Sequence, residues 1–425
     1  MATSVQSLVR PGECVDLYYY DGETSKKQCF PTTQNTKFVQ QFQNLTGGSS
    51  VFTIPPNMGI QDIVLEMVIA GQAGQTGLAL PRGWGYALIK QVSFRYGGSS
   101  QYFLSGQQIL QNALRRQPNR SAVDDLLTLG GNFASSGTTP NLTVDQYATV
   151  VLTLPHNIPS GVGKAHPLPT DLLTQQVQIT VELNPVSSIY TVNPGGGSST
   201  PPSALKSGQF VVQQVVMNNQ GDALARRVDM STNAYAFPVE FVQQEQVIPV
   251  INQYGGTLSP QEVVLTGFRS GEVKAIHCWL TRDEDSAGGA VNPFIFYPLQ
   301  TIQMTYAGDV YARYENYSAE LFSLINGNKV PAVDNLGITV GAPPTASAVL
   351  SVWNELPFAQ TNVDEDSHYT LVHGKPITNG IVNLSILFDP SLAPSPSGSD
   401  HWRLHVSYIY NATLLFSQGT CDYVF

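Results

Sequence analysis

The chain carries one ordered set of motifs twice, and few folds accommodate that. Phe38, Val39, Gln40 and Gln41 return as Phe241, Val242, Gln243 and Gln244. The alternating run Val92, Phe94, Tyr96, closed by Gly97 and Gly98, returns as Ile302, Met304, Tyr306, closed by Ala307 and Gly308. Leu154 and Pro155 return as Leu356 and Pro357. Ile179, Val181 and Leu183, followed by Asn184 and Pro185, return as Leu384, Ile386 and Phe388, followed by Asp389 and Pro390. The run 210–219 is matched more weakly by 402–411. A single match of this length carries little weight. Five in one order, spaced by about 190 to 210 residues in a chain of 425, imply duplication of one unit.

The repeated unit reads as β-structure. Residues 150–154, 177–183, 210–217 and 404–410 are short runs of β-branched or aromatic residues bounded by turn formers. Helix signals are few. Ser105 with Gln108 three positions on is a capping box that opens a helix over 109–116. Ser121, with Asp124 in the first turn and Gly130 beyond the end, marks a second over 121–129. A third is predicted over 317–326, stopped by Gly327. Each unit is about 190 residues with about eight strands, which suits a two-sheet sandwich of the jelly-roll type. The expected fold is therefore all-β: two tandem eight-stranded jelly-roll β-sandwiches with a few short helices in loops. The alternation at Val92, Phe94 and Tyr96 fits a sheet with one face on a core.

The Gly-, Ser- and Pro-rich stretch 194–202 has the composition of a linker. The repeat argues otherwise. It follows Asn184 and Pro185 as 391–399 follows Asp389 and Pro390, so both are loops within a unit, before its last strand. The expected division is an N-terminal arm over 1–36, a first jelly roll over 37–225, a junction over 226–236 and a second jelly roll over 237–425.

Composition narrows the function. Charged residues make up 12%, about half of what a soluble domain usually carries. The neutral, Gln-, Asn-, Ser- and Thr-rich remainder suits close packing against further copies. Net charge is −10 and no run of Lys or Arg occurs, so direct nucleic-acid binding is not expected. Residues 1–13 show no apolar signal-peptide core, and no apolar run approaches a span of about 20 residues. The four cysteines, Cys14, Cys29, Cys278 and Cys421, show no metal-site spacing and are expected as thiols, a Cys14–Cys29 bridge being the one alternative. Sequons at Asn44, Asn119, Asn141, Asn316, Asn383 and Asn411 are read as accidents of composition.

Candidate chemistry was weighed residue by residue. His401 and His405 share one face of a strand, as a metal pair would, yet no third ligand stands at suitable spacing. The acidic clusters at Asp283, Glu284, Asp285 and at Asp364, Glu365, Asp366 could hold Ca²⁺ or act as a carboxylate pair, but solvated outer loops are the better reading. Gly161, Gly163 and Lys164 lack the first Gly and the final Ser or Thr of a phosphate loop. Tyr18, Tyr19 and Tyr20 are read as an interaction arm or as packing under the first unit. No catalytic, cofactor-binding or metal-binding residue is assigned, and no enzyme activity is expected.

With these residues in view, the chain resembles the double jelly-roll major capsid proteins of double-stranded DNA viruses. That group spans nucleocytoplasmic large DNA viruses, virophages and polinton-like viruses, with adenovirus hexon more distant. The resemblance covers residues 38–425. It rests on the strand over 87–96 ending in Gly97 and Gly98, on Leu168 and Pro169 leading into 177–183, on Ala225, Arg226 and Arg227 leading into 238–246, and on the tail 402–425. The first Leu-Pro lacks the family's following aromatics, reading His156, whereas the second keeps Phe358. Connections look short, so any outer tower should be small. The resemblance implies a homotrimeric, pseudo-hexagonal capsomer tiling an icosahedral virion shell, made and assembled inside the host cell. Implied partners are other copies of the chain, neighbouring capsomers, minor capsid and penton proteins, and an internal membrane reached through the N-terminal arm. The rival reading is a two-module β-sandwich protein that binds carbohydrate or processes glycosides.

Overall fold

A computed structural model describes residues 33–55, 59–72, 78–80, 83–96, 102–115, 126, 129–131, 144–152, 168–170, 173–192, 200–217, 234–286, 296–315, 354–357, 375–377, 381–393 and 396–425. The first half holds β1 (Thr33–Gln41), β2 (Gly48–Ile54), β3 (Gly59–Ile69), β4 (Leu78–Ala79), helix α1 (Trp84–Leu88), β5 (Ile89–Arg95), β6 (Tyr102–Ser105), helix α2 (Gly106–Arg115), β7 (Gln146–Leu152), β8 (Leu168–Pro169), β9 (Val177–Leu183), β10 (Thr191–Val192) and β11 (Ser207–Met217). The second holds β12 (Tyr235–Val242), β13 (Gln246–Val250), β14 (Gln261–Leu265), β15 (Glu272–Arg282), β16 (Thr301–Tyr306), β17 (Asp309–Tyr314), β18 (Asn354–Pro357), β19 (Lys375–Pro376), β20 (Val382–Leu387), β21 (Trp402–Ser417) and β22 (Thr420–Val424).

Strand pairing repeats between the halves. One sheet of the first half runs β1-β11-β3-β7, with β8 on β3; the other runs β2-β9-β5-β6. The second half gives β12-β21-β15-β18, with β13 and β22 on β21 and β19 on β15, and then β14-β20-β16-β17. In each half two antiparallel sheets carry a four-strand path in the same order, which is the jelly-roll arrangement, and the first half adds a two-strand pair of β4 and β10. Among the described residues, no ladder joins a strand of 33–217 to one of 235–424. Strand β1 opens at Thr33 and β12 at Tyr235, slightly ahead of the positions expected from sequence. The stretch 194–202 falls between β9 and β11, and 391–399 between β20 and β21.

The alternation that marked these strands is their burial pattern. Val177, Ile179, Val181 and Leu183 of β9 are buried, as are Ile302, Met304 and Tyr306 of β16. The two sheets of the first half meet where Phe52 of β2 stacks on Phe210 of β11, ring centroids 4.3 Å apart. Register repeats as well. Phe94 pairs with Ile179 and Val92 with Val181, as Met304 pairs with Leu384 and Ile302 with Ile386.

Two of the five sequence matches slide. Phe38 pairs with Val212 and Phe241 with Tyr410, so Val212 corresponds to Tyr410 rather than to Leu404. Continuing across the sheets, Leu65 pairs with Val150 where Ile276 pairs with Leu356. Val150 is thus the counterpart of Leu356; Leu154 and Pro155 lie outside the described residues. Both slips are by an even number of positions. An even slip keeps every side chain on its face, so alternation alone cannot detect it.

Helices and connections differ in part from expectation. Helix α2 begins at Gly106, with the backbone N–H of Gln108 donating to Ser105 Oγ at 3.1 Å, so Ser105 caps it as predicted. Buried α1 was not foreseen. Of the helix expected over 121–129, Leu126 and Leu129 are described and helical, and Gly130 N–H donates to Leu126 O. The helix expected over 317–326 lies outside the described residues. Residues 316–353, between β17 and β18, lie outside the described residues, and with them the expectation of short connections there. Two hairpins close on paired left-handed residues, Ala307 with Gly308 and Gln418 with Gly419, the backbone a two-residue β-turn requires.

Because Phe52 fills the space between two sheets, Phe52→Ala should cost about 3–5 kcal/mol, read as a lowered midpoint in denaturant unfolding. A second test concerns acid. Lys206 and the Gly71 N–H hold the Asp145 carboxyl below its ordinary value, tying the entry of β7 to those of β11 and the exit of β3. A depressed carboxyl contributes stability at neutral pH that is lost as pH falls through the carboxylate range. Asp145→Asn should therefore shrink the stability difference from wild type on acidification, measured as melting temperature from pH 7 to 3, with high salt weakening the effect because the pair is exposed.

Candidate functional site

The residues that depart most from ordinary β-sandwich burial lie on the outer face of the β12-β21-β15 sheet. In β21, Leu404, Val406, Tyr408 and Tyr410 point into the sandwich core, so His405, Ser407 and Ile409 point the other way. In β15, Ile276, Cys278 and Leu280 face the core, leaving Ala275, His277 and Trp279 outside it. An outer face normally meets water. Here all six outward residues are buried, and Val242, Ala275 and Ile409 form a small apolar cluster of their own.

The first sandwich provides the cover. Gln107 and Gln108 sit in the first turn of α2. Trp279 Nε1–H donates to Gln107 Oε1 at 3.2 Å. Gln108 Nε2 donates to Ser407 Oγ at 2.7 Å and to the Gln243 carbonyl at 2.6 Å. The Ser407 hydroxyl also donates to that carbonyl, at 2.8 Å. The sequence read Gln108 as the return arm of a capping box, but its amide reaches across to the second sandwich instead. Both partners there are shielded from water, so an unmade bond would be costly. Gly106 lets α2 start hard against α1 and β5 of its own sandwich: a Cβ there would lie 2.2 Å from the Ile89 carbonyl oxygen and 2.5 Å from that of Tyr86.

An aromatic joint continues the seam. Tyr102 of β6 meets Phe241 of β12 edge-on at 5.0 Å and Tyr423 of β22 at 6.5 Å. Phe241 contacts Tyr423 and Phe425, each at 4.9 Å. The Arg269 guanidinium lies over the Phe241 and Phe425 rings at 5.1 and 5.5 Å, while the Arg269 backbone N–H donates to Tyr410 Oη at 2.9 Å. Burial pushes the Tyr96, Tyr423 and Cys421 side chains well above their ordinary ionisation ranges, so all are neutral at physiological pH. Farther along, Thr174 backbone N–H and Oγ1 both donate to the Gly419 carbonyl, at 2.9 and 3.1 Å. Gly419 is left-handed and a Cβ on it would strike Thr174, so only glycine fits this turn against the first sandwich.

Magnitudes identify what holds the joint. Edge-on aromatic pairs contribute about 0.5–1.5 kcal/mol each beyond area burial, and a partly desolvated cation–π contact about as much. Exposed ion pairs contribute about 0–1 kcal/mol. The aromatic joint is made of the former.

The residues singled out for chemistry go elsewhere. His401 and His405 do not converge: His401 Nδ1 meets Glu284 Oε1 at 2.7 Å at the surface. His405 Nε2 meets Thr281 Oγ1 at 2.9 Å, and its ring stacks on Trp279 at 5.4 Å. The acidic cluster is not a bare solvated loop, because Arg403 grips Asp283 at 2.8 Å and His401 takes Glu284. Beneath it lies a buried pair, Arg282 with Asp400 at 3.0 Å. Among the described residues no three His, Cys, Asp or Glu side chains converge as a metal site would require. Asp364, Glu365, Asp366, Gly161, Gly163, Lys164, Cys14, Cys29 and Tyr18 to Tyr20 lie outside the described residues. Cys278 and Cys421 are buried free thiols. No helix among the described residues is long and apolar enough to cross a membrane.

No protein-family model matches the chain, and no curated protein matches it in sequence. Solved structures do match. The crystal structure of PBCV-1 VP54 fitted into a reconstruction of the virophage Sputnik has a TM-score of 0.64 at 12% identity, covering 92% of this chain and 97% of that one. The Sputnik virophage structure itself gives 0.60 at 9% identity, covering 92% and 88%. The mavirus major capsid protein gives 0.54 at 11% identity, covering 98% and 97%. The chain therefore has the double jelly-roll fold of viral major capsid proteins over nearly its full length.

Gln108→Ala should remove the amide that bridges the sandwiches and leave Ser407 short of a donor. A loss of about 1–3 kcal/mol is expected, read in thermal unfolding, with the circular dichroism of the folded protein unchanged.

Proposed function

We propose that the chain is the major capsid protein of a double-stranded DNA virus, working as a pseudo-hexagonal homotrimeric capsomer that tiles an icosahedral shell. The observation that carries this reading is the pair of sandwiches with one strand order and one register, held together by a buried seam. One chain supplies two similar lobes, so three chains supply six, and a threefold object gains a nearly sixfold outline. The structural likeness to capsid proteins across nearly the whole chain supports the same role. The sparse surface charge favours it too, since close lateral contact between like-charged copies is costly.

The role is structural, not catalytic. Head-to-tail contacts that close a threefold ring are the interface class this geometry calls for, with well over about 2,000 Å² buried in an obligate assembly. In this reading residues 1–36 form an arm below the tile, available to an internal membrane. Residues 37–225 and 237–425 are the two lobes, and 226–236 joins them. Neighbouring capsomers, minor capsid proteins and penton proteins complete the contacts in the virion, which is assembled inside the host cell.

Light scattering on the purified protein should give the mass of a trimer, and negative-stain images of the same peak should show six lobes in a hexagonal outline. A monodisperse two-lobed monomer that stays unassembled at high concentration would sink the reading.

A further inference from the structure

Strand β13 has no sequence pattern that chooses its face. Val247, Ile248, Pro249, Val250 and Ile251 are apolar at every position. A one-residue slip against β21 would exchange the inward and outward sets, and both sets are apolar. In the structure Ile248 and Val250 pack on the core, while Val247 and Ile251 are 49% and 70% exposed. A bulge makes that choice. Val242 pairs with Ile409 and Gln246 with Val406, so three residues, Gln243, Gln244 and Glu245, stand opposite two, Ser407 and Tyr408. The extra residue turns β13 over relative to β12. Without it, Val247 would follow Phe241 onto the core face and Ile248 would turn outward. In the first sandwich β1 keeps one unbroken register along β11 from Thr33 to Gln41. A bulge leaves ladder groups without partners, and here a side chain of the first sandwich takes them. Gln108 Nε2 donates to the Gln243 carbonyl at 2.6 Å, and Gln108 Oε1 accepts from the Glu245 N–H at 3.4 Å. The Ser407 hydroxyl shares that carbonyl. One buried side-chain amide thus stands where a peptide group of a neighbouring strand would.

We infer that Gln108 pins the register of β13, so that the second sandwich reaches its final register only when α2 of the first is docked on it. The local chain favours the same register by one device. Pro249 has no N–H, and the peptide groups of Ile251, two residues on, bond to the Gln261 side chain rather than to β21. By alternation Pro249 also faces away from β21. After a slip its nitrogen would face β21, and a ladder bond would be lost. The pin is therefore read with Pro249 removed. What the register sets is the aim of the turn 251–260. Asn252 Nδ2 donates to the Ser397 carbonyl at 2.7 Å, and Gln261 holds the Ile251 N–H and carbonyl at 2.7 and 2.8 Å. A slip would break all three bonds. The first sandwich thereby fixes the placement of a loop on the second.

Two cysteine pairs report the register. Val247 stands opposite His405 in the observed register, and after a slip Gln246 would. Residues directly opposite lie within disulfide reach, and the next residue along points to the other face. Val247→Cys with His405→Cys, and Gln246→Cys with His405→Cys, are each built in Pro249→Val and in Pro249→Val/Gln108→Ala backgrounds, oxidised with diamide and mapped by peptide mass. With Gln108 present the 247–405 pair should bridge and the 246–405 pair should not. With Gln108→Ala the 246–405 bridge should appear at the expense of the other. Bridging at 247–405 alone in both backgrounds overturns the pin. So does bridging at 246–405 while Gln108 is present, because Pro249 is then the sole determinant. Amide hydrogen exchange reads the same inference without proline or cysteine changes. In Gln108→Ala the amides of 243–250 should exchange about tenfold faster, as the loss of one buried hydrogen bond implies, with 235–242 unchanged. Exchange equal to wild type across 243–250 also overturns it.

Discussion

A jelly-roll sheet has two faces and its own core takes only one. The molecule depends on what happens at the other face of β12-β21-β15. That face carries Val242, Ala275, Ile409, His277 and Trp279, a set too apolar and too bulky to be left in water. Its polar groups, Ser407 Oγ and the Gln243 carbonyl, are satisfied by an amide on a helix of the other sandwich. The two lobes therefore do not merely sit beside each other. Separating them would expose an apolar face and strip buried polar groups of their partners together, and each of those costs more than a linker of any composition could recover.

Much of this architecture was legible in sequence. Alternation at Val92, Phe94 and Tyr96 and again at Ile302, Met304 and Tyr306 located equivalent strands, and their cross-strand partners repeat as well. The duplication also put 194–202 inside a unit despite its linker-like composition; in the structure β9, before it, pairs with β2 and β5, and β11, after it, with β1 and β3. What failed was register at the last strand and at the Leu-Pro match. Alternating residues cannot distinguish even slips, and β21 runs 16 residues before it turns into β22.

The seam itself could not be read in advance. Gln108 lies 135 residues from Gln243 and 299 from Ser407, and nothing local distinguishes it from the second arm of a capping box. Phe241 and Phe425 look like ordinary core aromatics until Tyr102 is placed between the lobes. The signal that existed was indirect: Gln107, Gln108, Gln111 and Asn112 stand together on a short helix, of which Gln108, Gln111 and Asn112 are buried. Amides gathered on a buried surface need partners, and a β-sandwich supplies them readily only where another chain segment ends or bends, as it does after β12. Of the acidic and histidine motifs, Asp283, Glu284 and His401 are spent on Arg403 and on each other within one lobe.

Duplication explains why these features lie where they do. A single jelly roll that docks on a copy of itself must use one surface for giving and another for receiving. Fusing two copies makes one such contact intramolecular and permanent, and relieves selection on the other to remain identical. The face inside the chain is then free to become apolar, as at Val242, Ala275 and Trp279. The corresponding face at Val39, Val64 and Glu66 meets water and stays compatible with it. The asymmetry between two lobes of the same topology is thus the physical mark of a face covered within the chain and an equivalent face left open. Glu66 and the half-exposed valines are what a sheet face left in contact with water can carry.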